Sequence, residues 1–223
     1  MAGCATTATT TQQSTPVAPI QVAPARGEPA NLTQAKQDVR AYVDSGRYQT
    51  DLASVGKKAE AWLEQRVAQK KGSEKLAIVF DLDETLLMNY PHIVKNDFGY
   101  LPEVWNGWVA EGTAPAIEPV RRVYRTARRL GVSVIYITGR PEPQYDATKR
   151  NLQMIECADF VALVCKPDAM KSATAATFKA GVRERMTKEG WTIVASVGDQ
   201  QSDLDGGFAE RTFKLPNPFY FIE

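Results

Sequence analysis

Two aspartates, Asp81 and Asp83, directly follow the apolar run Ala77 to Phe80. In a parallel α/β sheet the ligand crevice lies beyond the carboxyl ends of the strands. Both carboxylates are therefore expected to point into it, while Leu82 faces the other way. Two carboxylates placed in this way are suited to phosphoryl transfer. Acidic residues are also common in turns, so an isolated motif of this kind favours a solvated strand exit, and the rest of the chain has to decide.

Two later strand-like segments also end in residues that can hold a phosphate or a cation. Thr138-Gly139-Arg140 follows one of them, and Gly198-Asp199, with Asp203 four residues on, follows the last. The glycines allow the backbone to approach a ligand closely. Asp199 and Asp203 add carboxylates near Asp81, and such like charges are tolerated together only when a cation lies among them. A hard, oxygen-rich site of this kind predicts Mg²⁺.

In this order, the motifs resemble those of the haloacid dehalogenase superfamily. Within it they resemble the class B/C acid phosphatases of subfamily IIIB, which include plant vegetative-storage-like and bacterial lipoprotein acid phosphatases. The matching positions are Asp81 to Thr85, Thr138 to Arg140, Lys179, and Gly198 to Leu204. The resemblance extends over roughly residues 41–215 and implies a Rossmann-like core with a small helical, aromatic cap.

The resemblance implies a role for each matching residue. Asp81 is implied as the nucleophile, which forms an aspartyl-phosphate, and Asp83 as the acid for the leaving alcohol and then the base for water. Thr138, Gly139 and Lys179 are implied as ligands of the phosphoryl group. The implied activity is Mg²⁺-dependent hydrolysis of phosphomonoesters, with nucleotides among the candidate substrates.

The resemblance also implies a set of ligands for the Mg²⁺ ion. They are the Asp81 carboxylate, the backbone carbonyl of Asp83 and the Asp199 carboxylate, with Asp203 supporting the ion or its waters. The ion offsets the repulsion between a carboxylate and a phosphate dianion.

The lysine assignment has a rival. Lys179 lies in a segment, Phe178 to Arg183, that resembles the family's aromatic-Lys-Ser-x-x-Arg pattern, with alanine in place of the usual serine. Lys171 competes for the same role, and spacing to the last strand favours Lys179. Arg140 is interpreted as structural or at the rim, and the lone His92 as a solvent-facing or capping residue.

Apolar periodicity places these motifs on alternating helices and strands. Two helices, interrupted at Gly46, precede the first strand. Further strands are predicted at 132–137, 160–164 and 191–197, and helices at about 119–130, 143–155 and 173–188. This alternation predicts an α/β fold with a mostly parallel sheet and helices on both faces.

An aromatic segment follows the first motif, at about residues 86–118, where the family places its cap. Its aromatic residues either stack on a nucleobase or aryl leaving group or form the core of the cap itself. They are Tyr90, Phe98, Tyr100, Trp105 and Trp108.

The amino-terminal segment has a different composition. Met1 to Cys4 resembles the end of a bacterial lipoprotein signal, with Cys4 as the lipid anchor. Residues 5–25 carry no charge and are rich in Thr, Ala, Gln and Pro, which predicts disorder. We therefore expect a tether over 1–30, helices over 31–75 and the phosphatase core over 76–223, in a periplasmic or outer-membrane lipoprotein.

Overall composition limits the partners. Lys and Arg total 27 against 26 acidic residues, which argues against binding of a nucleic-acid polymer and leaves a small phosphomonoester as the expected partner. Three cysteines and one histidine offer no four-ligand zinc site. Cys165 ends an apolar run and is expected to be a buried thiol, and a Cys157–Cys165 bridge remains open.

Two other functions remain as alternatives. One is a protein phosphatase of the polymerase-tail type, whose first motif is similar, although the Thr138 to Arg140 segment and the large early insert favour the acid phosphatases. The other is a weakly catalytic storage or binding protein on the same fold.

Overall fold

The computed structural model describes residue 1 and residues 29–222, so most of the predicted tether and Cys4 lie outside the described residues. The strands in this part are β1 Lys75–Phe80, β2 Ser133–Pro141, β3 Ala162–Lys166, β4 Trp191–Gly198 and β5 Thr212–Lys214. The α-helices are α1 Leu32–Asp44, α2 Arg47–Ala68, α3 Tyr90–Lys95, α4 Pro102–Glu111, α5 Glu118–Arg129, α6 Tyr145–Met154 and α7 Ala175–Lys188. Short 3₁₀ turns occupy Glu142–Gln144, Asp168–Met170 and Gln201–Asp203.

The strands form one parallel sheet in the order β3-β2-β1-β4-β5, which confirms the predicted α/β fold. β1 is the central strand. Phe80 at its end pairs with Tyr136 of β2 on one side and Val197 of β4 on the other. Asp81 therefore leaves the sheet between the ends of two neighbouring strands, where parallel α/β folds form their ligand crevice.

Alternation along β1 separates the core into two layers. Leu76, Ile78 and Phe80 belong to the cluster that includes residues of α2 and α5. Ala77 and Val79 belong to a second cluster with residues of α7. Successive strand residues point to opposite faces, so an apolar run without polar interruptions indicates a strand covered on both sides.

Helices α2 and α5 pack closely because position 56 is a glycine. A Cβ atom at Gly56 would lie 3.0 Å from the backbone oxygen of Pro119. The contact brings α2 against the same sheet face as α5, whose buried residues include Val120, Val123 and Ala127. Helix α2 is thus part of the core layer.

Some element boundaries differ from the sequence prediction. β2 continues to Pro141, past the predicted end at Ile137, and so carries Thr138 to Arg140 within the strand itself. β3 begins two residues later than predicted, at Ala162. β5, at Thr212–Lys214, was not predicted, because a strand of 3 residues with one buried side chain leaves no periodic signal.

Both core cysteines are buried free thiols, so the bridge that the sequence left open does not form in this structure. Burial raises the pKa of Cys157 to about 12 and that of Cys165 to about 11. In residues 29–222, none of the helices has the length and apolar content needed to cross a bilayer.

Candidate active site

A cavity of about 520 Å³ opens at the carboxyl ends of the central strands. Its polar lining comes from residues at or just after the ends of β1, β2 and β4, and from α7. These are Asp81, Asp83, Gly139, Arg140, Lys179, Asp199, Gln200, Ser202 and Asp203. The strand order therefore brings together three of the motifs that are far apart in the sequence, and α7 adds the lysine.

Lys179 joins two of the aspartates. Its Nζ lies 2.5 Å from Asp81 Oδ1 and 2.5 Å from Asp203 Oδ1, and all three side chains are buried. Burial opposes the charged amine, but the charges and hydrogen bonds of Asp81 and Asp203 outweigh it and raise the pKa of Lys179. Lys179 is thus a fixed cation beside Asp81, whereas the rival Lys171 is exposed.

Asp199 is oriented by three hydrogen bonds. Thr85 Oγ1 donates to Asp199 Oδ1 at 2.8 Å. Gln200 Nε2 and Asn217 Nδ2 donate to Asp199 Oδ2 at 2.8 and 2.7 Å. Asn217 belongs to the carboxyl-terminal segment, which sequence reasoning did not connect with the site because an irregular segment has no periodicity to read.

The carboxylates of Asp81, Asp199 and Asp203 fit a divalent cation. Each offers an oxygen atom, and these atoms lie within 4.8 Å of one another. Burial raises the pKa of Asp81 and of Asp199, which means that the charged forms lack solvation. When ionised, the three carboxylates and the one ammonium of Lys179 leave two negative charges, which a divalent cation would neutralise. Oxygen-only ligands suit Mg²⁺ or a similar hard cation.

Position 198 must be glycine for this arrangement. A Cβ atom at Gly198 would lie 2.3 Å from Cβ and 2.4 Å from Oδ2 of Asp203. Asp203 is also held by the backbone N–H of Gln200, which donates to its Oδ2 at 2.8 Å. The glycine that ends β4 therefore makes room for a carboxylate.

Asp83 has different partners, and they correct the interpretation of Arg140. Arg140 is buried, and its guanidinium donates to Asp83 through Nε at 3.0 Å to Oδ2 and through NH2 at 2.6 Å to Oδ1. Arg140 NH1 also donates to Thr148 at 3.1 Å. The alternative of a rim residue was wrong, because the extended β2 carries this side chain inward to the carboxylate, where it makes a buried ion pair.

The other predicted phosphate ligands lie at the end of β2. Gly139 lines the cavity, whereas Thr138 is fully buried and its Oγ1 accepts a hydrogen bond from the backbone N–H of Arg140 at 3.2 Å. Their roles as phosphate ligands stay predictions.

The aromatic residues of the segment between β1 and α5 divide into two groups. Phe98, Tyr100 and Trp105 line the cavity, and Tyr100 is 71% exposed. Tyr90 and Trp108 pack against the main core. The set therefore supplies both cavity lining and core packing, with Phe98 contributing to each, and stacking on a leaving group stays a prediction.

His92 also lines the cavity, although the sequence suggested only a solvent-facing or capping residue. Its ring stacks on Trp108, with centroids 5.4 Å apart and planes at 27°. Burial lowers its pKa. The neutral ring therefore contributes an aromatic surface to the cavity wall.

Glu84 lies behind the two aspartates and is fully buried. Burial raises its pKa to about 8, and the charge of Asp83 adds to this effect. Its Oε2 accepts a hydrogen bond from Tyr220 Oη at 2.9 Å, so the carboxyl-terminal segment is attached to the first motif. Phe219, Tyr220 and Phe221 of this segment also line the cavity.

A family model described as the haloacid dehalogenase superfamily, subfamily IIIB (acid phosphatase), matches residues 4–223. The chain belongs to this family. It is therefore a phosphoric monoester hydrolase of the acid phosphatase type, and the family match favours this function over the polymerase-tail phosphatases.

Known relatives agree with the family. Acid phosphatase 1 of Solanum lycopersicum is 39% identical over 150 residues, which cover 65% of this chain and 58% of the tomato protein. The stem 28 kDa glycoprotein of Glycine max is 31% identical over 82% of this chain and 72% of that protein. Vegetative storage protein 1 of Arabidopsis thaliana is 30% identical over 86% of this chain and 73% of that protein.

The fold is also found in a solved structure. The class C acid phosphatase from Bacillus anthracis superimposes with a TM-score of 0.69 and 24% identity, covering 85% of each chain. This likeness supports the architecture described above.

Proposed function

We propose that this phosphatase hydrolyses phosphomonoesters in two displacements, with an aspartyl-phosphate on Asp81 as the intermediate. One observation carries the proposal. The Asp81 carboxylate ends the central strand in contact with the buried Lys179, and a second carboxylate, Asp83, lines the same cavity. A nucleophile beside a fixed cation and an acid beside the leaving group are the parts that such a reaction needs.

In the first displacement, an Asp81 carboxylate oxygen forms a bond to phosphorus while the bond between phosphorus and the ester oxygen breaks. The departing oxygen takes a proton from Asp83, which becomes a carboxylate. In the second displacement, Asp83 removes a proton from water as that water attacks phosphorus, and the bond to Asp81 breaks to release phosphate. Lys179, with its fixed positive charge, stabilises the phosphoryl oxygens in both steps.

We propose Mg²⁺ as the cation of this site, held by the carboxylates of Asp81 and Asp199 and the backbone carbonyl of Asp83, with Asp203 in support. When bound, the ion supplies positive charge that reduces the repulsion between Asp81 and the phosphate. Thr85 and Asn217 keep the Asp199 carboxylate in one orientation. The cluster of buried oxygens supports this assignment.

For the substrate, we propose phosphomonoesters whose leaving group carries a flat aromatic ring, nucleotides among them. Phe98, Tyr100, Trp105, Phe219 and Phe221 all line the cavity. Stacking on such side chains contributes roughly 1 to 3 kcal/mol per base.

A substrate panel tests the proposal. Purified protein is assayed with nucleoside monophosphates, aryl phosphates, sugar phosphates and a phosphopeptide, with Asp81→Asn as the blank. We expect the highest kcat/KM for nucleotides and aryl phosphates. A preference for sugar phosphates or the phosphopeptide would contradict the aromatic substrate class.

The same panel addresses a second candidate function, a weakly catalytic storage protein. The names of the plant vegetative storage proteins among its relatives favour this candidate. Turnover no higher than that of the Asp81→Asn blank on every substrate would support it over hydrolysis.

We also propose that Cys4 carries a lipid and attaches the protein to the periplasmic side of a bacterial membrane. The small residues before Cys4 and the uncharged segment after it support this proposal. Expression of the complete gene with labelled fatty acid should label the protein, and label retained in a Cys4→Ala variant would refute attachment at Cys4.

A further inference from the structure

Asn89 connects the segment between β1 and α5 with Asp83 and has no place in the motifs described above. Its side chain is fully buried. Asn89 Nδ2 donates to Asp83 Oδ1 at 2.9 Å and to Glu84 Oε2 at 3.1 Å. Its Oδ1 accepts from Trp108 Nε1 of α4 at 2.7 Å. Every polar atom of this amide is therefore used.

These partners fix the orientation of the amide. The Trp108 indole nitrogen is only a donor, so the Asn89 atom that faces it must be the oxygen. The amide nitrogen then faces the two carboxyl groups and can only donate to them. Buried amides with all partners satisfied are held rigidly, since a flipped amide would leave buried groups unpaired.

The hydrogen bonds also distinguish the two oxygens of Asp83. Oδ1 accepts from Asn89 Nδ2 and from both Nε and NH2 of Arg140, whereas Oδ2 accepts from Arg140 Nε at 3.0 Å alone among the described residues. A carboxylate oxygen has about two acceptor sites. Oδ2 therefore keeps a site for a proton, while Oδ1 serves as the anchored oxygen.

We propose that Asn89 is a positioning residue for Asp83, and that the chain Trp108–Asn89–Asp83 couples α4 to protonation of the leaving group. The inference rests on the proposed function, in which Asp83 is the acid. Asp83 Oδ2 gives its proton to the ester oxygen as the bond from that oxygen to phosphorus breaks, and Asp83 is left as a carboxylate. Asn89 and Arg140 hold Oδ1 throughout, so that Oδ2 faces the departing oxygen.

The dependence of rate on the leaving group tests this role. An alkyl alcohol is a poor leaving group and needs the proton, whereas p-nitrophenolate leaves without it. We expect Asn89→Ala to lower kcat/KM about 10²-fold on an alkyl phosphate and to change it little on p-nitrophenyl phosphate. Equal losses on the two substrates would show a general structural role and overturn the proposal.

Trp108→Phe keeps an aromatic side chain but removes the indole N–H donor, so it tests the chain if the Asn89 variant fails to fold. We expect the same pattern with a loss of about fivefold on the alkyl phosphate, as for one neutral hydrogen bond. Trp62→Phe is the matched control. Trp62 Nε1 donates to the Val194 carbonyl oxygen at 2.8 Å in the core, and its loss should leave the ratio of the two rates unchanged.

The same assay distinguishes a failure of the positioning role of Asn89 from a failure of the proposed hydrolysis. Wild-type protein that hydrolyses neither substrate would overturn the proposed function and the positioning role together. Wild-type protein that hydrolyses both, with Trp108→Phe and Trp62→Phe giving the same ratio of rates, would overturn the positioning role alone.

Discussion

Asp81 and Asp83 lie two residues apart in very different surroundings. Asp81 is buried among Asp199, Asp203 and Lys179, where negative charge exceeds positive charge. Asp83 is closer to the cavity mouth, and its charge is balanced by the guanidinium of Arg140. One carboxylate therefore needs a further cation, whereas the other already has its partner.

The different surroundings of Asp81 and Asp83 explain how one short motif supplies two chemical roles. Groups of the same type acquire separate functions when their environments separate their protonation behaviour. Burial raises the pKa of Asp81, so a cation is required to make it an ionised nucleophile. Arg140 stabilises the carboxylate that remains after Asp83 has given up its proton.

The largest effect is expected for Asp81→Asn, which removes the nucleophile from the buried side. Activity on p-nitrophenyl phosphate should fall by roughly 10⁶-fold, as for loss of a nucleophile in other covalent hydrolases. Asp205→Asn is the control, because Asp205 is exposed and its side chain contacts only Gln201 among the described residues. Substantial turnover by Asp81→Asn would contradict the assignment of Asp81, as opposed to Asp83, as the nucleophile.

Removal of metal should inactivate the enzyme by about 10³-fold, since the buried carboxylates then carry uncompensated charge. Added Mg²⁺ should restore activity and raise the melting temperature of the wild-type protein. Asp199→Asn should reduce that thermal shift. Full activity in excess chelator would contradict the assignment of a cation to the Asp81 side.

Lys179→Met should lower kcat about 10²- to 10³-fold, because it removes a fixed charge from the phosphoryl group. Lys171→Met, the other lysine that the sequence offered, should leave kcat near the wild-type value. Steady-state rates for the pair decide which lysine belongs to the site, and a larger loss for Lys171→Met would reverse the assignment.

An effect on stability, not on rate, is expected at the group behind both aspartates. Burial raises the pKa of Glu84 to about 8 from an ordinary 4.5, so the folded protein binds this proton more tightly than the unfolded chain. Its contribution to stability is therefore complete below about pH 4.5 and is lost as the pH rises toward 8. Because each pKa unit corresponds to about 1.4 kcal/mol, the loss amounts to several kcal/mol.

Glu84→Gln cannot titrate and should lack this loss. Urea unfolding of both proteins in excess chelator, from pH 5 to pH 8, measures the difference. The variant should gain on the wild type as the pH rises. Parallel stability curves would show that Glu84 is ionised in the folded protein.

Much of the fold could be predicted because its strands are continuous apolar runs, and the parallel order then placed Asp81, Thr138 and Asp199 at one edge. Lys179 was preferred over Lys171 as the site lysine because of its spacing to β4 in the sequence. The partners of Asp83 could not be predicted, since Arg140 lies 57 residues away and Asn89 looks like any polar loop residue. The position of Arg140 directly after Gly139 was a signal in the sequence that this residue lies near the site.

The contacts of the carboxyl-terminal segment also could not be predicted from the sequence. Asn217 and Tyr220 lie in an irregular segment, whose path depends on side-chain hydrogen bonds to Asp199 and Glu84. Such bonds are long-range and carry no periodic pattern.

Chemical trapping of the aspartyl-phosphate shows directly whether Asp81 is the nucleophile. The enzyme is mixed with excess p-nitrophenyl phosphate, quenched in acid within milliseconds and reduced with borohydride, which converts an aspartyl-phosphate to homoserine. We predict homoserine at position 81 and unchanged aspartate at position 83, with none formed without substrate. Homoserine at position 83, or at neither position during active turnover, would contradict the account.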